Sequence, residues 1–377
     1  MERIVLAYSG GLDTSVAIPW LAGKYGAEIV AVTMDLGQGK GLEDVRDRAL
    51  AGGAVRAHVL DVREEFARDY VLRALQADAM DEDRYPMGTA LGRPLIARKL
   101  VEIAAIEQAA AIAHGSTRQG FDIAVRALNP AIVVVAPVRD WGMTRSEEIE
   151  YARARGISMP VTVDSAYRTD ANLWGRSIEW AVPDAAWTEP PEEIYTLTRR
   201  PADCPDEAAY VELTFERGVP TAINGVAMPF VELIASLGTI AGAHGVGRID
   251  MVENRLAGIR SRQIYEAPAA VVLHMAHKEL QRMVTTKDAA RFSRAVSLQY
   301  ADIVDNGLWF TPLREALDAY VAKVQGLVSG VIRLKLFKGD CRVVAFEHAA
   351  APGFIKILGL PGETAARKSA VAGRTDD

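Results

Sequence analysis

The sequence predicts an α/β protein in two domains, and three observations carry that prediction. Apolar runs rich in Ile and Val alternate with stretches of helical spacing through the first half of the chain. The first run, Ile4 to Leu6, is joined to the first helical stretch by a glycine turn, Ala7 to Ser15 (AYSGGLDTS). The chain has 377 residues, 50% of them hydrophobic and 24% charged, which is enough for two buried cores. Strands alternating with helices imply a mostly parallel sheet with right-handed crossovers and both faces covered. Ligands of such sheets gather beyond the carboxyl ends of the strands.

In chain order, Thr14 to Lys24 reads as a helix and Glu28 to Thr33 as a buried strand. Gly41 to Gly52 returns to helical spacing with Leu42, Val45 and Ala49 on one face. Arg56 to Val62 is a third strand and Glu64 to Ala77 a further helix. In Asp81 to Ala104, Pro94 suits the first turn of a helix whose Ile96, Leu100 and Ile103 share a face. Ile132 to Pro137 reads as another buried strand. A domain boundary is expected between Gly156 and Val163, giving a first domain over 1–163, a second over 164–350 and a tail over 351–377. The second domain shows a strand at Tyr210 to Phe215, helices at Phe230 to Ala243, Ala270 to Val284 and Lys287 to Val304, and a strand pair, Val328 to Phe337 with Arg342 to Phe346. The polar tail from Ala365 to Asp377 predicts disorder unless a neighbouring subunit orders it.

The glycine turn carries the clearest chemistry. Gly10 and Gly11 permit positive φ and close approach of the backbone, while a helix start offers unpaired N–H groups and the positive end of its dipole. Ser9, Thr14 and Ser15 add hydroxyl donors. Such a nest suits a phosphate chain. Asp13 is acidic, so it either caps the helix or holds a hydrated Mg²⁺. No Gly-Lys-Ser/Thr follows the glycines and the Gly-x-Gly-x-x-Gly spacing is absent, which excludes the two commoner phosphate loops. The MDLGQG stretch (Met34 to Gly39) and HGSTRQGFD (His114 to Asp122) belong on the same rim.

Lys and Arg number 43 against 49 Asp and Glu, net charge −6, with no strongly basic run to follow a nucleic-acid backbone. Cys204 and Cys341 lack metal-ligand spacing and read as buried thiols in a reducing compartment. No apolar run reaches about 18 residues and no leader pattern opens the chain, so a cytoplasmic protein outside the membrane is expected.

The spelling AYSGGLDTS resembles the pyrophosphate loop of the ATP pyrophosphatases, and within that group the argininosuccinate synthases. DLGQ, DEDRYPMGTALGRPLIARK, HGST, NLWGRSIE (Asn172 to Glu179), HGVGRIDMVENR and IYEAP continue the likeness in the right order along nearly the whole chain. The resemblance implies a nucleotide-binding domain of the adenine nucleotide alpha hydrolase-like type followed by an α+β synthetase domain, and a homotetramer. It implies a ligase that uses ATP with Mg²⁺ to adenylate a ureido-type oxygen, then displaces AMP with the amine of L-aspartate. By position, Ala7, Tyr8, Ser9, Gly10, Gly11, Leu12, Asp13, Thr14, Ser15, Thr33 and Gly115 would bind ATP, and Thr117 and Asp122 would bind aspartate. Tyr85, Ser177, Glu253 and Tyr265 would contact the acceptor.

The departures from the family pattern fall near that acceptor. Ala90 and Arg168 stand where the family has serines, Phe121 where it has asparagine, and Val125 where it has the arginine that grips the citrulline carboxylate; Arg126 follows one residue later. Phe121, Arg126 and Arg168 are therefore expected at the acceptor wall, and the expected acceptor is one other than citrulline. The alternatives are an authentic argininosuccinate synthase in which Arg126 takes the arginine's place, or a nucleotide-binding regulatory protein without activity. No nucleophile-base-acid triad is evident, and His114 and His244 read as scaffold or as acid-base groups.

Overall fold

The computed structural model describes residues 2–39, 41–116, 119–157, 167–180, 187–254 and 260–347. The expected domain boundary falls mostly outside them, as do Thr117 and the tail. The first domain runs β1 (Arg3–Ala7), α1 (Leu12–Tyr25), β2 (Glu28–Asp35), α2 (Leu42–Ala51), β3 (Arg56–Asp61), α3 (Arg63–Phe66), a π turn (Ala67–Val71) and α4 (Leu72–Gln76). It continues with α5 (Gly88–Ile106), β4 (Ala111–Ala113), α6 (Gly120–Leu128), β5 (Val133–Val135), α7 (Pro137–Asp140) and α8 (Arg145–Ala154). The five strands form a parallel sheet in the order β3-β2-β1-β4-β5. Ile4, Val5 and Leu6 are wholly buried because β1 lies at the centre of the sheet, with apolar layers on both faces.

The second domain contains β6 (Tyr167–Asn172), β7 (Gly175–Trp180), β8 (Ala209–Glu216), β9 (Val219–Ile223), β10 (Val226–Ala227), α9 (Phe230–Ala243), β11 (Arg248–Asn254) and β12 (Arg260–Glu266). Then come α10 (Pro268–Val284), α11 (Lys287–Asp305), α12 (Pro312–Gln325), β13 (Gly330–Phe337) and β14 (Asp340–Glu347). Two antiparallel sheets result, ordered β10-β9-β8-β13-β14 and β11-β12-β7-β6. A continuous buried cluster joins the domains, from Val5 and Leu91 through Trp174 to Leu273 and Leu336. Cys204 and Cys341 are buried and unpaired, as expected.

Some sequence expectations need correction. Pro94 lies inside α5, not in its first turn, because the helix already starts at Gly88, where Ala90 and Leu91 are buried. Its buried stripe runs through Leu91, Leu95, Leu100 and Ala104, leaving Ile96 and Ile103 only partly covered. Strand β5 is an edge strand and its Val133 is 46% exposed. The β6-β7 hairpin and α12 escaped the sequence reading: β6 is polar, and α12 buries only Val321, Val324 and Gln325.

The second domain grips the first through that hairpin. Trp174 donates from Nε1 to the Pro86 carbonyl (3.0 Å), Asn172 Nδ2 to the Gly88 carbonyl (2.8 Å), and the Leu173 N–H to the Leu36 carbonyl (2.8 Å). Gly37 has φ +89° and lies so close to Leu173 that a Cβ would sit 2.7 Å from the leucine Cβ.

Candidate active site

At the carboxyl end of β1 the chain turns through Gly10 (φ +78°), where a side chain would meet Val45 and Arg48. Gly11 is the N-cap of α1 and offers no side-chain cap, so the N–H groups of the first turn point out of the helix without intrahelical partners. Ser9 Oγ and Thr14 Oγ1 are 3.1 Å apart, and the Gly11 N–H donates to Ser9 Oγ (3.3 Å), which folds the loop into a ring of donors. Thr33 underpins it by donating to the Tyr8 carbonyl (2.8 Å), and the Tyr8 hydroxyl lies 3.0 Å from Ser15 Oγ. The arrangement can cradle several anionic oxygens at a helix N-terminus.

Asp13 does not cap this helix. It stands in the first turn, 3.9 Å from Arg168 Nη1 and beside the Glu148 carboxyl of α8. Glu148 is 3% exposed, and its buried Oε2 has no hydrogen-bond partner. Burial, and then the Asp13 carboxylate, push the Glu148 carboxyl up to about 7.

Beside the loop opens a cavity of about 280 Å³ between α5, the 115–116 turn and the β11-β12-β7-β6 sheet. Gly115 joins loop and cavity: its ideal Cβ position is 3.2 Å from the Thr14 methyl. Tyr85 stacks on Tyr265 with ring centroids 3.5 Å apart and planes 13° from parallel. Tyr265 donates its hydroxyl to Glu253, and Thr89 Oγ1 lies 3.2 Å from Ser177 Oγ. Burial pushes the Tyr85 hydroxyl up to about 12; burial and the neighbouring Tyr85 and Glu253 raise Tyr265 further. Both phenols stay protonated at neutral pH and serve as hydrogen-bonding groups, not bases.

Tyr85, Ser177, Glu253, Tyr265, Arg168 and Ala90 all line this cavity. Phe121 and Arg126 do not. Helix α6 turns Phe121, Ala124 and Val125 into the core, with Phe121 tilted against the His114 ring at 4.6 Å, so the two apolar replacements are packed away from this cavity. Arg126 is exposed on the opposite face and lines a separate depression with Gln119, Asp122 and Arg139. The spacing separates 121 and 125 from 122 and 126 as two i,i+4 stripes, and the packing decides that the first stripe meets the core.

Asp122 sits in that second depression. Burial alone would raise its carboxyl, but His114 and Arg139 outweigh burial and hold it well below the usual carboxylate range; Arg139 Nη2 donates to Oδ1 at 2.7 Å and His114 Nε2 is 3.5 Å from Oδ2. His114 accepts the Ser116 N–H at Nδ1 (3.1 Å), so it orders this turn, and neither His114 nor His244 lines the cavity. Sequence reasoning missed Thr89, Arg93 and Asp170. Thr89 and Arg93 are four residues apart in the same block as Tyr85 and face the cavity together, a spacing that could have flagged them. Burial raises the Asp170 carboxyl, and Arg93 offsets part of that shift.

Residues 3–158 match the model of the arginosuccinate synthase N-terminal HUP domain, and residues 167–351 that of the arginosuccinate synthase C-terminal domain. The argininosuccinate synthase of Rubrobacter xylanophilus is 51% identical over 96% of this chain and 94% of its own length. That of Oceanobacillus iheyensis is 48% identical over 96% and 92%. A solved 4-thiouridine synthetase in complex with RNA and bound ATP matches 41% of each chain at 23% identity, with a TM-score of 0.31.

Proposed function

The chain belongs to the argininosuccinate synthase family and is by that membership a ligase forming C–N bonds, and we propose that it joins citrulline to L-aspartate with cleavage of ATP to AMP and pyrophosphate. The observation that carries the proposal is the adjacency of two sites: a donor-rich loop for a phosphate chain, and an acceptor cavity into which Tyr85, Ser177, Glu253 and Tyr265 converge. Acceptors other than citrulline lose their main support, because Phe121 and Val125 pack into the core and leave the cavity wall to polar groups. Relatives of near-equal length at 48 to 51% identity carry the argininosuccinate synthase name.

Catalysis in this reading is positioning and charge stabilisation. The α1 N–H groups and the Ser9, Thr14 and Ser15 hydroxyls hold the pyrophosphate portion of ATP, while Thr33 and Gly115 border the nucleotide. The cavity holds the ureido oxygen toward the α-phosphorus. Thr117 and Asp122 bind aspartate and present its amine. The residues present fit Mg²⁺: Asp13 and Glu148, whose buried Oε2 has no hydrogen-bond partner, would supply carboxyl ligands, with the phosphates and water as the other donors such an ion takes. The ion would offset charge on the departing pyrophosphate. The domain division is 1–163 and 164–350, and the enzyme works in the cytoplasm as a homotetramer that the 351–377 tail helps to build.

A pyrophosphate-release assay with ATP, aspartate and citrulline, followed by mass analysis of the product, tests the proposal. Argininosuccinate and AMP in equal amounts are expected. Release only with another ureido or amide acceptor would restore the altered-acceptor reading, ADP would overturn the cleavage chemistry, and nucleotide binding without turnover would favour the regulatory alternative.

A further inference from the structure

Arg168 brings a positive charge to the place where cavity and loop meet. It is the second residue of β6, opposite Glu179 of β7, and lines the acceptor cavity alongside Tyr85 and Ser177. Its Nη1 is also 3.9 Å from Asp13 Oδ2, in the first turn of the helix that follows the phosphate loop. A guanidinium carried by the second domain therefore stands in the seam between the cavity and the loop. Two features suit it to move: the contact with Asp13 is longer than a hydrogen bond, and the Arg168 side chain is 49% exposed.

The cavity and the loop that follows β1 meet at this seam. We propose that Arg168 exchanges Asp13 for the α-phosphoryl oxygens of ATP and stabilises the charge they gather during adenylation. The inference rests on the function proposed above. In the step, a lone pair of the acceptor oxygen forms the new O–P bond. The bond from the α-phosphorus to the oxygen bridging to the β-phosphorus breaks, and its electron pair leaves on pyrophosphate. Arg168 stays protonated throughout, and its forked donors match two phosphoryl oxygens. This is a different role from anchoring an acceptor carboxylate, which would need the guanidinium deep in the cavity and away from Asp13.

The test compares wild type with Arg168→Gln and Arg168→Lys in the full-length protein, with circular dichroism to verify folding. Calorimetric affinities for AMP and for adenosine form one arm, and rapid-quench measurement of AMP formation with ATP and citrulline the other. Arg168→Gln should weaken AMP binding about tenfold with adenosine unchanged, slow adenylation on the order of a hundredfold and leave the citrulline KM within about threefold. Arg168→Lys should recover part of both losses. Equal affinities for AMP in wild type and Arg168→Gln would overturn the proposal, as would a raised citrulline KM at unchanged adenylation rate, which would make Arg168 an acceptor anchor. If wild type does not adenylate citrulline, the functional reading fails, and the comparison of AMP with adenosine still decides the role of Arg168.

Discussion

Gly10 and Glu148 show how much of the site depends on single residues. At Gly10, φ +78° and a Cβ position 2.9 to 3.1 Å from Arg48 and Val45 combine backbone strain with crowding. Gly10→Ala should cost about 1 to 3 kcal/mol of stability and weaken ATP binding about tenfold or more, measured by thermal denaturation and calorimetry. A variant binding ATP like wild type would show that the loop does not need the left-handed turn. For Glu148, the native carboxyl keeps its proton up to about pH 7, whereas the unfolded chain releases it near 4.5. The native state therefore binds more protons between those values, and stability falls as pH rises through that window. Glu148→Gln removes the loss, so the variant should gain up to about 3 kcal/mol on wild type between pH 4.5 and pH 8. Parallel denaturant-unfolding curves for the two proteins across that range would contradict the assignment.

At the scale of elements, the synthetase sheet is anchored by a buried carboxylate at the end of β12. Glu266 is wholly buried and accepts the N–H groups of Thr196, Leu197 and Thr198 at 2.9 Å each, the Thr198 hydroxyl at 2.7 Å and Arg176 Nη1 at 3.2 Å. Glu266→Ala leaves the three N–H groups without their acceptor and Arg176 without its carboxylate, with only the Ile194 carbonyl and the Thr196 hydroxyl still accepting from it, and should cost about 3 to 5 kcal/mol. Calorimetry showing a loss below about 1 kcal/mol would mean that the 196–198 loop finds other partners. Element type was legible where the pattern was strong: α9 spans the expected Phe230 to Ala243, and the β13-β14 hairpin turns at Lys338 and Gly339. It failed where neighbours decide. Pro94 sits within α5 because packing carries the helix back to Gly88, and β5 is an edge strand because no further strand pairs beyond it among the described residues.

For the whole molecule, the shared buried cluster and the hairpin contacts to Leu36, Pro86 and Gly88 hold the proposed acceptor cavity against the glycine loop after β1. The proposed tetramer would add the polar tail to that frame. Light scattering should show a tetramer, and removal of 365–377 should lower the mass or raise the concentration that the tetramer needs; a monomer at working concentration would refute the assembly. By itself the sequence determined the phosphate loop, the family and the order of the site blocks, because a glycine turn before a helix and seven contiguous motifs are local properties of the chain. The tertiary structure alone decided which residues face one another. Periodicity tells which side of α6 is apolar but not that this side meets the core instead of the acceptor, so Phe121 and Arg126 were misplaced. Nor can it show that Arg168, from a polar strand in the other domain, meets Asp13, since contacts between residues distant in sequence are set by how sheets and helices pack.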